Sequence, residues 1–227
     1  MLLGLLAVLL AWILFGLTLA RYTRRPSWHN ALYSLGLFLF ALAVSAELLA
    51  RFQGAWTPGL YRLWYLTGAM HGVTLLGLGS LALLNPKGAR GLLLFLSPLI
   101  LYGLFLVLTA PLDLTRLPTP YAPSGAAFPP PGLASPRLWT IPFNLLGTLL
   151  MAGVALYTTA LFWWKNPLRA QGTALVFLSA LVLASTSTLN RFGVVGLEEL
   201  GRALGVGLLF LGVVLADRSV AYAGGRA

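Results

Sequence analysis

Two ionisable side chains in this sequence fall where polar groups are costly. Glu47 and His71 both lie inside long apolar stretches. A charge at the centre of a membrane helix costs roughly 3 kcal/mol on insertion scales, so an ionisable residue at that depth is a functional-site hypothesis by default. Arg62, Tyr65 and Thr67 precede His71 on one stretch, and Asn144 sits just inside another. Ser187, Asn190, Arg191 and Glu198 cluster where the last two stretches meet. These ten residues form the candidate ligand-binding set. The histidine could relay a proton, hold a ligand or make an interhelical hydrogen bond, the last being the commonest role of a lone histidine. Glu47 with Arg51, and Glu198 with Arg202, have the i,i+4 spacing of helical ion pairs. The same residues can therefore serve as polar glue.

Other chemistries are excluded by the residues they need. The chain has no cysteine, so thiolate metal sites, cysteine nucleophiles and disulfides are out. His29 belongs to the opposite side of the membrane from His71, so no metal site is expected. No cofactor is expected either: the only lysines, Lys87 and Lys165, lie between stretches, where neither can carry retinal. There is no G-x-S-x-G, no P-loop and no histidine-glutamate-histidine constellation. No catalytic residue is assigned. The net charge of +10 falls in short loops, where it reads as membrane orientation and attraction to lipid headgroups rather than nucleic-acid binding.

Only membrane helices can position such residues. The composition is 59% hydrophobic and 9% charged, against roughly 25% charged in soluble domains. The expected fold is all-α, a single seven-helix transmembrane domain over 1–227, with spans at about 2–20, 30–50, 61–84, 91–110, 138–164, 172–189 and 197–215. The third is the expected central helix. It carries Gly68, Gly72 and Gly79, and the seventh carries Gly201 and Gly205, small residues at the spacing of close helix packing. The first and fourth spans, nearly all apolar, are expected to face lipid. Pro98 should kink the fourth. Residues 111–137 form a proline-rich outer loop, with Pro129, Pro130 and Pro131 in a row. It reads as a connector, with a lid over the bundle as the alternative. Arg62-Leu63-Trp64 and Asn85-Pro86 are echoed by Arg137-Leu138-Trp139 and Asn166-Pro167, which hints at duplicated hairpins or at ordinary boundary residues.

Helix parity puts the polar ends on one side, and the basic residues favour the other side as the inside. That gives an N-terminus outside, a C-terminus inside, and a polar pocket opening to the extracytoplasmic face of a bacterial cytoplasmic membrane. The layout loosely resembles the seven-helix input regions of bacterial sensors, without a diagnostic motif. The expected function is a non-enzymatic sensor or binding module. Its partners would be membrane lipids and, because the tail after Asp217 is too short for an effector, a separate effector protein on the cytoplasmic side. A small transporter or channel component is the alternative, and a membrane enzyme acting on a lipid is the third.

Overall fold

Seven helices follow one another, and in five places a short polar residue starts them. In the computed structural model the backbone is described for residues 1–191 and 197–224, and the side chains for 1–186 and 199–217. The helices are α1 (Leu2–Arg24), α2 (Trp28–Gln53), α3 (Pro58–Leu84), α4 (Pro86–Thr109), α5 (Pro136–Phe162), α6 (Pro167–Arg191) and α7 (Leu197–Gly224). Each is long and apolar enough to cross a membrane, and no strand occurs among the described residues. Ser27 accepts the Asn30 amide at the start of α2. Thr57-Pro58, Asn85-Pro86, Ser135-Pro136 and Asn166-Pro167 repeat one device. The side chain takes up an orphan amide, at 3.3, 2.9, 3.3 and 3.1 Å respectively, and proline fills the first helical position, where no donor is needed. Local capping chemistry thus accounts for the Asn-Pro echo without a duplication. Within α4, Pro98 cannot donate to the Leu94 carbonyl, and the Ser97 hydroxyl donates to it instead at 2.8 Å.

Neighbouring helices close a ring in the order α1, α2, α3, α5, α6, α7 and back to α1, and α4 lies outside it against α3. Of the spanning window of α3, 67% is buried, against 22% in each of α1 and α4. The half of the bundle away from the N-terminus is filled mostly by aliphatic side chains, with Tyr33 bonded to Ser80 and Thr159 to Thr173 among them. Leu14, Leu37, Leu76, Met151 and Leu209 form one cluster, and Leu32, Leu75, Leu78 and Leu96 form another. At that end an Arg21–Asp217 ion pair ties α1 to α7.

Glycine sets the closest crossings. A Cβ on Gly77 of α3 would lie 2.5 Å from the Gly147 carbonyl oxygen of α5, and one on Gly147 would lie 2.5 Å from the Val73 carbonyl oxygen. Gly172 of α6 and Gly212 of α7 oppose each other in the same way. These reciprocal pairs are additional to the expected stripes. Of the stripe residues, Gly68 faces Ala43, Gly79 faces Tyr33, Gly201 faces Thr186 and Gly205 faces Leu183, all within the chain.

One feature of α3 leaves no mark on the apolar pattern of the sequence. The middle of α3, Tyr65–Gly72, is a π-helix. The wider coil brings the Thr67 carbonyl oxygen to 2.5 Å from where a Gly72 Cβ would be, so Gly72 serves its own coil as well as facing Phe40 of α2. π-segments of this length are rare and cluster at functional sites.

If backbone contact sets the α3–α5 distance, Gly77→Leu should lower stability by about 2 kcal/mol through overpacking. Gly153→Leu, at a glycine with nothing within 4 Å, should leave it unchanged. Thermal melts of the purified variants check this, and equal melting of the two variants would discount the crossing.

Candidate functional site

Glu47 lies on the inward face of α2, two turns before its end, and is 2% exposed. One turn on, the Arg51 guanidinium donates to its Oε1 at 2.5 Å. Arg202, from the first turns of α7, reaches the same oxygen. Arg51 also lies 3.4 Å from Glu199. The Glu199 carboxylate accepts the Gly4 amide at 3.1 Å and lies 2.9 Å from the Met1 amino group. The charges alternate in sign and join α1, α2 and α7. Among these four side chains the formal charges cancel. The cavity among Gly4, Ala7, Val44, Glu47, Leu48, Arg51 and Arg202 measures about 10 Å³, room for about one water. The i,i+4 spacing pairs Glu198 with Arg202, and the Glu198 side chain lies outside the described residues; Arg202 reaches across the helix interface to Glu47.

The long loop covers this end. The Pro120 carbonyl accepts from Arg51 Nε at 3.2 Å, and the Tyr121 ring lies 5.3 Å from the Arg51 guanidinium carbon. The Ser124 carbonyl accepts from the Tyr61 hydroxyl at 2.7 Å. Phe128, 2% exposed, inserts among Tyr61 and Tyr65 with ring centroids 5.4 and 4.7 Å away. The Leu133 carbonyl accepts from Tyr102 of α4 and Trp139 of α5. The connector reading therefore gives way to a strap fastened to α2, α3, α4 and α5. Within it Asp113 accepts from the Thr115 hydroxyl and amide, which hold its carboxyl below the usual range.

Under the strap, Arg62 turns to the end of α4 and donates to the Val107 and Ala110 carbonyls, the usual role of a basic side chain at a helix C-terminus. It also sits 5.9 Å from the Phe128 ring centroid. The Tyr65 hydroxyl lies 2.8 Å from that of Thr140.

Deeper, the side chains along the π-segment engage backbone carbonyls. Thr67 donates to Leu63 at 2.7 Å, and Asn144 of α5 donates to Ala69 at 2.5 Å. Thr74 bridges Met70 and Phe143. His71 Nδ1 lies 3.1 Å from the Leu66 carbonyl oxygen, five residues back, and its ring centroid is 5.6 Å from that of Phe143.

The ten expected site residues thus divide. Glu47 belongs to the charge cluster, Arg62 and Tyr65 lie under the strap, and Thr67, His71 and Asn144 belong to the π-segment. The side chains of Ser187, Asn190, Arg191 and Glu198 lie outside the described residues. Glu199, Arg51, Arg202, Pro120 and Phe128 were absent from the expected set. The first three could be found only as charges sharing an end, and the last two carried no signal. No group of three or more potential metal-ligating side chains occurs among the described residues. No protein-family model, curated protein or solved structure matches this chain.

Removing one partner from a buried charge pair costs more than losing a surface one. Glu47→Leu should therefore destabilise the protein by about 3 kcal/mol, and Glu199→Gln, at a quarter-exposed side chain, by less than about 1 kcal/mol. Thermal unfolding in detergent distinguishes them, and similar small losses for both would contradict a buried charge lock.

Proposed function

We propose that the protein is a non-enzymatic seven-helix membrane module that binds or senses a ligand at its N-terminal end, with the strap as the ligand-facing element. The observation that carries this reading is the grouping of charged, aromatic and strap residues at that one end, above an aliphatic interior. Arg21, Arg24, Arg25, Lys87, Arg90, Lys165 and Arg169 lie at the other end. By the positive-inside bias they favour an extracytoplasmic ligand side and a bacterial cytoplasmic membrane as the setting. A signal would pass to a separate effector protein on the cytoplasmic side.

The transporter reading has less support, because the aliphatic clusters occupy the region where a pathway would continue. The lipid-enzyme reading needs Glu47 and His71 as a working acid and base. Glu47 is engaged by two arginines, and His71 has a separate set of neighbours on α3, α4 and α5.

Native mass spectrometry of the gently extracted wild type beside Tyr121→Ser tests the proposal. Tyr121 is 57% exposed, so its loss should leave the fold intact while opening the strap over Arg51. The expected result is a small molecule retained by the wild type and lost from the variant. A clean apo mass for both proteins, together with no ligand-dependent rise in melting temperature across a small-metabolite panel, would overturn the reading.

A further inference from the structure

His71 is 6% exposed and carries a nitrogen, Nε2, that is buried without a hydrogen-bond partner. The other nitrogen fixes the chemistry. The Leu66 carbonyl can only accept, so Nδ1 holds the proton and Nε2 presents its lone pair. That nitrogen lies against α4: a Cβ on Gly103 would lie 3.5 Å from it. Nε2 is thus a buried acceptor that meets no donor among the described residues, and an unmade buried hydrogen bond is unfavourable.

Two things could relieve this: a second proton on the ring or a donor from outside. A buried imidazolium carries a large desolvation penalty, and the ion pairs of the described residues place their carboxylates elsewhere. A neutral donor meets the need at lower cost. α4 stands outside the helix ring, so the spot lies one helix away from lipid. Gly103 and Met70 are buried, and the flexible Met70 thioether, whose Cε would lie 2.9 Å from a Gly103 Cβ, is the group an entering molecule would displace.

We propose that Nε2 of His71 is the acceptor in a second, intramembrane site, which takes the hydroxyl of a neutral, lipid-soluble alcohol or phenol entering between α3 and α4. The site is separate from the strap-covered end, and it stands or falls independently of the function proposed above. The two histidines of the chain, His29 and His71, make it accessible to nitrogen NMR of histidine-labelled protein in lipid nanodiscs, with His71→Gln assigning the signals. The probes are para-nonylphenol and its methyl ether, which lacks the donor. The phenol should shift the His71 Nε2 resonance saturably and bind about tenfold more tightly than the ether, the worth of one net hydrogen bond. His29 should not move. Gly103→Ala should weaken the phenol response. Equal responses to phenol and ether would overturn the proposal, as would no response. So would a His71 ring already doubly protonated at neutral pH, or Gly103→Ala binding like the wild type.

Discussion

The Glu47 carboxylate is 2% exposed and faces two arginines, one on its own helix and one from α7. A lone carboxylate there would carry a desolvation penalty that no local packing offsets. Arg51 answers that charge from the same helix, Arg202 draws α7 to the same oxygen, and α7 brings Glu199, which accepts from the backbone of α1 at Gly4. The first and last helices are thus tied at this end through one buried carboxylate and the charges around it. The Arg21–Asp217 pair repeats the tie at the other end in a more exposed setting. Arg51 then extends the constraint outward, because its Nε holds the Pro120 carbonyl and its face holds Tyr121.

The strap follows a different logic from the helices. Proline lacks an amide donor, so a proline-rich segment offers an excess of carbonyl acceptors. Here those acceptors are used. Pro120 takes Arg51, and Pro129 takes the Ser135 hydroxyl. The side chains that fasten the strap come from helix ends that the bilayer would place at its boundary, where tyrosine and tryptophan are favoured. Tyr102 and Trp139 converge on the single Leu133 carbonyl, so aromatic anchors of the boundary double as donors to the loop.

The seven helices were legible because their signals are local: apolar length, a capping residue, proline in the first turn. The concentration of polar residues at one end was legible from parity. Three features were not. Arg202 reaches Glu47 across the helix interface, and spacing along one helix does not announce a partner on another. The Gly77–Gly147 and Gly172–Gly212 contacts each need glycine on two helices at matching depth, which no single-helix stripe encodes. The order of the strap depends on Phe128 entering an aromatic cluster built from the loop before α3 and from α3 itself, and composition suggested only that the segment would not be helical.

The π-segment carries a consequence for how this chain can vary. Tyr65–Gly72 holds an extra residue within each of its turns relative to an α-helix. Deleting one residue between Leu66 and Gly72 would remove that surplus and let α3 run as regular helix, its two ends turning against each other by far less than the roughly 100° that one residue spans in an α-helix. Tyr61, Arg62 and Tyr65 would then stay near Phe128, Ser124 and the end of α4, and the loss would fall on the segment itself, where His71 meets the Leu66 carbonyl five residues back. The same deletion in the regular helix beyond Val73 would instead turn one end of α3 against the other, so the π-segment is the place where this helix can change length.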